Sequence, residues 1–256
     1  NLNNNSSEIF EIKEIITALT IRSDTELILS SNKGLSVFNM VNKKFSRILN
    51  IENTDYRTRS NDGASDAMGR FWVSSMQNNF DLNENAIPVN ENIGKLYKID
   101  IDKKITVVED GLGIPNTFVW SPDNKHFYFT DTLEGNIFKY DYDLESGQLT
   151  NKKNFAKFHR GYPDGSTIDT EGCIWNCRYS GGCIVRFNPA GKVDQVFEMP
   201  VKNITNCIFG GYDMKTLFIT TASNNGNDQN ELDGSIFALK TNYQGLEDHR
   251  SQIALS

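Results

Sequence analysis

The sequence predicts an all-β fold of the β-propeller type. Three observations support this: a recurring hairpin unit, a long regular repeat, and the near absence of helical periodicity. Each unit has a polar turn with an aspartate, followed by an aliphatic or aromatic strand. The turn aspartates are Asp24, Asp66, Asp123, Asp169 and Asp213, spaced 42, 57, 46 and 44 residues apart. Repeats of this length made of short strands are typical of propeller blades.

A second strand follows each turn and begins with a glycine. These glycines are Gly34, Gly94, Gly135, Gly182 and Gly234. The longest interval between turn aspartates, from Asp66 to Asp123, contains an Asn-rich insert from Asn78 to Asn92. This insert predicts a surface loop placed as a lid. Five units fill nearly the whole chain, so we expect a single propeller domain over residues 1–256 with a solvated tail at 1–7. A six-bladed ring would need one more unit, and five-bladed rings also exist.

Composition limits the classes of partner. The 256 residues are 38% hydrophobic and carry a net charge of -7, which provides no basic field for nucleic acid. No apolar run approaches the ~18 residues needed to cross a bilayer, so no membrane partner is expected. The spacing of Cys173, Cys177 and Cys183 is a weak match to a zinc site, and Cys207 stands apart. We therefore expect four buried free thiols, which favours a reducing, cytoplasmic location.

Three segments differ from ordinary hairpins and carry the chemistry that the sequence offers. They are Arg59–Gly63, Gly113–Asp123 and Gly161–Asp169, and each places Asn or Asp beside Gly or Pro just before a blade's turn. Such dipeptides also form turns that have no chemical role. Their recurrence in successive repeats favours function, because the innermost strands of a propeller begin at the mouth of its central channel. Carboxylate and amide oxygens that converge there suit Ca²⁺, Mg²⁺ or Mn²⁺.

The same segments carry a resemblance to a known family. Arg-Ser-Asn-Asp-Gly at 59–63, Pro-Asn at 115–116 with Trp-Ser-Pro-Asp at 120–123, and Pro-Asp-Gly at 163–165 are similar, in order and spacing, to the internal signatures of the senescence marker protein/regucalcin/gluconolactonase family. A fourth match runs from Phe209 to Ala222. The resemblance extends over nearly the whole chain from about Glu8.

The resemblance implies a six-bladed propeller, of which this chain shows about five blades, and a divalent-metal-dependent hydrolase of a sugar lactone or related ester. Asn116 and Asp164 match two metal ligands of the family, and Arg59 and Asn61 match its substrate-binding pair. Asp164 would also be the catalytic base. One divalent ion is expected, Ca²⁺ first, with Zn²⁺, Mn²⁺ or Mg²⁺ as alternatives. The partner would be a small lactone or ester, and the protein a monomer or weak dimer.

Two departures from the family pattern keep an alternative open. The family's third ligand is a Glu in a Gly-Glu-x-Pro-x-Trp segment, and Glu8, Glu11 and Glu14 lie in a stretch without Pro or Trp. The expectation is that a segment preceding Asn1 supplies this Glu or that the chain is a natural variant without it. An acidic family position also falls near Asn78 and Asn79. The alternative function is therefore a non-catalytic or calcium-binding propeller. Of the three histidines, only His159 is near enough to Asp164 in sequence to reach the channel mouth, and the sequence favours a position outside it.

Overall fold

The structure is a computed structural model that describes residues 8–51, 56–81, 85–223 and 230–255. The predicted tail at 1–7 lies outside the described residues. The described chain forms strands and no helices. The strands of the first three sheets are β1 (Ile16–Ile21), β2 (Glu26–Ser31), β3 (Gly34–Asn39), β4 (Phe45–Leu49), β5 (Thr58–Ser65), β6 (Phe71–Gln77), β7 (Gly94–Ile99), β8 (Ile105–Leu112), β9 (Pro115–Trp120), β10 (His126–Asp131), β11 (Asn136–Asp143) and β12 (Gln148–Lys157). Those of the last two are β13 (Tyr162–Ile168), β14 (Ile174–Tyr179), β15 (Cys183–Phe187), β16 (Val193–Glu198), β17 (Ile204–Gly210), β18 (Thr216–Thr221) and β19 (Ile236–Lys240).

The strands form five antiparallel sheets in which each strand pairs with its neighbour in sequence. The first four sheets, β1–β4, β5–β8, β9–β12 and β13–β16, have four strands, and the last, β17–β19, has three described strands. This confirms the all-β propeller and the five repeat units. The prediction of a six-bladed ring is not confirmed, because the described residues account for five blades. Each turn aspartate lies between the first and second strands of its blade.

The innermost strands β1, β5, β9, β13 and β17 line a central channel and pack against each other in that order. No comparable packing joins β17 to β1 in the part of the chain that the structure describes, although residues of both strands face the channel. A C-terminal strap, residues 244–254, crosses the channel end to which the inner strands run. Its backbone bonds to Thr170, Ile21 and Gly69, in three different blades. The strap therefore ties together blades that are far apart in sequence.

Two of the turn aspartates are buried and hold matching side-chain units. Asp66 Oδ2 accepts hydrogen bonds from Trp72 Nε1 at 2.8 Å and Arg70 Nε at 2.7 Å. Asp169 Oδ2 accepts in the same way from Trp175 at 2.9 Å and Arg186 at 2.8 Å. In each unit an ion pair neutralises the charges that burial would otherwise destabilise. The aspartate thereby fixes the turn and orients the tryptophan that packs between blades.

The core lies between blades and is largely aromatic. Trp72 packs edge-on against Trp120, with 6.1 Å between the ring centroids. It also packs against the tilted ring of Phe127, with 5.5 Å between the centroids. Arg70 extends the contact, since it donates hydrogen bonds to Tyr142 Oη and to the Leu144 carbonyl of the next blade. Trp175 is also buried. The three tryptophans are thus core residues.

All four cysteines are buried and free, as the sequence predicted. Burial raises the pKa of Cys173 to about 11, so the neutral thiol predominates at physiological pH. Cys177 and Cys207 pack in one apolar cluster between the last two blades. Their role in the described structure is that of small apolar core residues.

Asp66→Asn is expected to lower the free energy of unfolding by about 3 kcal/mol, because it leaves the buried Arg70 guanidinium without its counter-charge. Chemical denaturation followed by circular dichroism measures this change. Asp213→Asn is the matched control, since Asp213 occupies the same repeat position in the last blade but is exposed. Equal effects of the two substitutions would show that the buried ion pair is not what stabilises the turn.

Candidate functional site

The central channel encloses a cavity of about 800 Å³, whose wall includes residues from all five inner strands. Asn61, Asp62, Asn116 and Asp164 lie at the end where these strands begin. Strap residues 246–249 line the opposite end of the cavity. The cavity is therefore polar at one end, bordered by apolar side chains such as Phe118 and Ile168 further down, and crossed by the strap at the other.

Backbone irregularities direct the polar side chains into the channel. The register of β5 against β6 shifts between Ser60 and Gly63, where Asn61 and Asp62 lie. The register of β13 against β14 shifts between Pro163 and Ser166, around Asp164. Bulges of this kind bend a strand and re-aim its side chains, and they are frequent beside active sites. Two consecutive polar residues can therefore serve the channel where a regular strand would present only one.

Amide side chains join two adjacent blades at the channel mouth. Asn61 Nδ2 donates hydrogen bonds to Asn116 Oδ1 at 3.0 Å and to the Pro115 carbonyl at 2.9 Å. Asn116 Nδ2 donates in turn to Thr132 Oγ1 at 2.8 Å, which fixes the amide so that its oxygen is directed toward Asn61. An amide oxygen has two lone pairs, so Asn116 Oδ1 can accept a further contact in addition to the one from Asn61.

Two carboxylates occupy the same end of the channel. Desolvation raises the pKa of Asp62 to about 6, although its oxygens accept hydrogen bonds from the Gly63 and Thr117 backbone N–H groups. Desolvation and the nearby charge of Asp62 raise the pKa of Asp164 well above its usual value. Like charges held near each other disfavour ionisation of both. A divalent cation between these groups and the amides would relieve that repulsion, so the donors present suit a hard cation.

Thr117 adopts a strained backbone conformation at the centre of this group. Its φ of 60° is rare for a β-branched residue. The conformation lets its N–H bond to Asp62 Oδ2 at 3.1 Å, while its hydroxyl donates to the Asp164 carbonyl at 2.6 Å. Such strain persists where surrounding contacts over-determine it, and it clusters at functional sites. Thr117 thereby links both carboxylate-bearing strands to β9.

Arg59 lies behind Asn61 and not among the residues that line the cavity. Its Nη1 donates to Asn61 Oδ1 at 3.1 Å, and its Nε donates to Asn79 Oδ1 at 2.8 Å. Burial lowers its pKa to about 10, which leaves the guanidinium charged at neutral pH. Asn79 belongs to the predicted lid, of which residues 82–84 lie outside the described part of the chain. The guanidinium thus orients the Asn61 amide and brings positive charge close to the site.

The structure gathers three of the four predicted site residues, Asn61, Asn116 and Asp164, around the cavity. It adds Asp62 and Thr117, which the sequence could have indicated only through their place inside the signature segments. Asn206 also faces the cavity, and it packs so closely on Gly165 that a Cβ there would lie 2.2 Å from the Asn206 Cγ. Gly165 is therefore required for the approach of the last blade to Asp164.

Neither His159 nor the glutamates Glu8, Glu11 and Glu14 line the cavity. His159 is exposed and does not line the cavity, whereas His249, on the strap, does. His159 therefore lies outside the site, as the sequence favoured, in the exposed segment that precedes β13. Glu14 pairs with Arg47 at 2.5 Å and bonds to Ser31, and neither it nor Glu8 or Glu11 lines the cavity.

A second group of metal-ligand types lies elsewhere in the fourth blade. Ligand atoms of Asp169, Glu171 and Cys173 lie within 4.8 Å of one another. Arg186 lies against this group, at 2.7 Å from Asp169 Oδ2 and 2.5 Å from Glu171 Oε2. The guanidinium already neutralises both carboxylates, and it stacks on Tyr243 at 3.8 Å from the ring centroid. An ion pair accounts for this cluster without a metal ion.

The sequence model of a protein family, described as the SMP-30/gluconolactonase/LRE-like region, matches residues 1–223 of this chain. The chain belongs to this family. Pentonolactonase XacC of Haloferax volcanii is 31% identical over 94% of this chain and 81% of its own length. Regucalcin of Oryctolagus cuniculus is 31% identical over 81% of this chain and 69% of its own length. The family resemblance predicted from the signature segments is thereby confirmed.

The fold comparison agrees with the sequence comparison. A calcium-binding regucalcin from Agrobacterium tumefaciens superimposes with a TM-score of 0.89, at 25% identity, over 97% of this chain and 83% of the other. The five described blades of this chain therefore share the fold of this solved regucalcin. No helix in the described ranges has the length and apolar character needed to span a membrane.

Removing one carboxylate is expected to stabilise the protein freed of metal by a chelator, in a pH-dependent manner. The folded-state pKa of Asp164 is raised, so its ionisation destabilises the fold as pH rises above the unfolded-state value near 4. Asp164→Asn should therefore leave the thermal midpoint nearly unchanged at pH 4 and raise it by several degrees at pH 8. Thermal denaturation in chelator at the two pH values measures this difference.

The matched control is Asp143→Asn. Hydrogen bonds from Ser146 lower the pKa of the exposed Asp143 carboxyl, so loss of its charge should not stabilise the protein at pH 8. A thermal midpoint at pH 8 that is lower in Asp164→Asn than in the wild type would mean that the metal-free fold stabilises the ionised carboxylate. That result would contradict the raised pKa of Asp164.

Proposed function

We propose that this chain is a divalent-metal-dependent hydrolase of a sugar lactone or a related ester. The observation that carries the proposal is the meeting of Asp62 and Asp164 with the amides of Asn61 and Asn116 in one channel cavity. The pentonolactonase relative indicates the reaction class. The 800 Å³ cavity admits a small sugar derivative together with water.

Asp164 and Asn116 would hold the ion, and Asp62 would add a second negative charge close by. Oxygen donors of this kind suit Ca²⁺ first, and Mg²⁺ or Mn²⁺ when waters complete the shell. When bound, such an ion polarises a carbonyl and lowers the pKa of a coordinated water. The regucalcin relatives, one of them named as calcium-binding, support a divalent ion.

The protein's own groups account for proton transfer and orientation. Desolvation and the charge of Asp62 raise the pKa of Asp164, and a raised pKa makes its carboxylate a stronger general base. Asp164 would take a proton from water as the water oxygen bonds to the lactone carbonyl carbon. The ring C–O bond then breaks, and Asp164 returns the proton to the ring oxygen, which gives the hydroxy acid.

Asn61 and Arg59 form the substrate-binding part of the proposal. Both N–H bonds of Asn61 Nδ2 are used by Asn116 Oδ1 and the Pro115 carbonyl, so Asn61 would donate to a sugar oxygen or to the developing oxyanion by exchanging one of these bonds for the substrate. Arg59 would bind substrate oxygens if the Asn79 contact opens, and in the described arrangement it orients Asn61. Its positive charge favours the transition state, in which negative charge develops.

A calcium-binding propeller without turnover is the second candidate. The specific observation in its favour is that Glu8, Glu11 and Glu14 do not line the cavity, so none of them provides the glutamate ligand that the family resemblance implies. Fewer charged ligands weaken binding of a hard cation. In this case the site would bind Ca²⁺ and hydrolyse no lactone.

Hydrolysis of glucono-δ-lactone by the chelated protein, followed by pH-stat after addition of Ca²⁺, Mn²⁺, Mg²⁺ or Zn²⁺, tests the proposal. Turnover should require a metal and should fall by at least about 100-fold in Asp164→Asn, because general base catalysis contributes on that scale. Asp213→Asn should retain full activity. Ca²⁺ binding without turnover with any metal would contradict the hydrolase and favour the second candidate.

A further inference from the structure

We propose that Arg178 and Asp131, which do not line the cavity, are positioning residues for the two predicted metal ligands, Asp164 and Asn116. The proposal rests on the function proposed above and deepens it. Both residues lie on the second strand of a blade, next to the innermost strand that carries a ligand. Each is a buried charged residue whose hydrogen bonds are to backbone or amide groups.

Arg178 fixes the backbone that leads to Asp164. Its side chain is 1% exposed. Nη2 donates hydrogen bonds to the carbonyls of Phe158 at 2.7 Å and Gly161 at 2.8 Å, and Nε donates to the Arg160 carbonyl at 3.1 Å. Three carbonyls of the segment 158–161 thus converge on one guanidinium. Burial lowers its pKa to about 10, which still leaves it charged at neutral pH.

The fourth bond of Arg178 reaches the site through Asn176. Arg178 Nη1 donates to Asn176 Oδ1 at 2.9 Å, which directs the Asn176 Nδ2 group toward β13. That group donates to Ser166 Oγ at 2.9 Å and to the Asp164 carbonyl at 3.3 Å. The Asp164 carbonyl also accepts from the Thr117 hydroxyl. The backbone on either side of the Asp164 side chain is therefore held by a single connected network.

The third blade repeats this arrangement with the opposite charge. In β13, Pro163 precedes Asp164 and pairs with Arg178, and in β9, Pro115 precedes Asn116 and pairs with Asp131. Asp131 is 2% exposed. Its carboxylate accepts hydrogen bonds from the N–H groups of Gly113 at 2.7 Å and Ile114 at 3.0 Å. In both blades a buried charge opposite the proline holds the segment that leads to the ligand.

The second blade, which contributes no predicted metal ligand, lacks the arrangement. There Ser60 occupies the position of the two prolines, directly before Asn61, and pairs with Ser75, a buried residue without charge. A side chain without charge is the more stable choice for a buried position that has no positioning role, since burial of a charge is unfavourable. The presence of Arg178 and Asp131 opposite the ligand-bearing positions therefore indicates a role in ligand geometry.

The test compares Arg178→Met with Arg186→Met, which removes an equally buried arginine of the same blade at the far end of the channel. Hydrogen exchange of residues 158–166 is measured in the chelated protein, and ion affinity by calorimetry with Ca²⁺. Arg178→Met should speed exchange in this segment at least tenfold and weaken Ca²⁺ binding by 10- to 100-fold, as loss of groups that orient a ligand does. Arg186→Met should change neither in the folded protein, whatever its effect on the thermal midpoint.

The outcomes separate this proposal from the proposed function. Unchanged exchange at 158–166 in Arg178→Met would overturn the positioning role even if the wild type hydrolyses lactones. Faster exchange and weaker Ca²⁺ binding would support it even if the wild type hydrolyses none. If Arg178→Met does not fold, the same two measurements are made on Asn176→Ala and Asp131→Asn. For Asp131→Asn, hydrogen exchange is followed at residues 111–117. Equal effects of Arg178→Met and Arg186→Met on Ca²⁺ affinity would also contradict the proposal.

Discussion

Two carboxylates, Asp62 and Asp164, face one partly desolvated channel, and each makes ionisation of the other less favourable. Desolvation is the larger contribution to both raised pKa values, and their mutual repulsion adds to that of Asp164. A fold does not hold like charges in this way without compensating contacts. The strained Thr117, the bulged strands and the buried charges opposite the two prolines all hold the backbone in the conformation that keeps these groups together.

The propeller is well suited to this task because its site is assembled from separate sheets. Asn61, Asn116 and Asp164 come from three adjacent blades, so their relative positions depend on how the blades pack. That packing rests on wide aromatic contacts and on buried Asp–Trp–Arg units at the opposite end of the channel. The strap then joins blades across that end. Stability and chemistry are thus concentrated at different ends of the channel, which allows strain at the mouth.

The sequence was sufficient to predict the blades and to name Asn61, Asn116 and Asp164, which the structure brings to one cavity, for a physical reason. A repeat with a turn aspartate and a buried tryptophan is a local pattern, and the Asn and Asp residues beside Gly and Pro mark bulges where side chains can be redirected. Arg178 and Asp131 gave no such signal, because their importance depends on cross-strand pairing. The position of His249 likewise depends on the path of the strap, which has no periodicity. The blade count could not be settled, since nearly the same repeat serves rings of different size.

We propose that a divalent ion binds between the strands that carry Asn116 and Asp164. Crystals of the protein soaked in Mn²⁺, with anomalous diffraction measured at a wavelength suited to manganese, test it most directly. We expect one strong anomalous peak in the channel, in contact with oxygen atoms of Asp164 and Asn116, and the loss of this peak in Asp164→Asn. A peak beside Asp169 and Glu171, with none in the channel, would contradict the account and place the ion in the cluster that we attribute to the Arg186 ion pair.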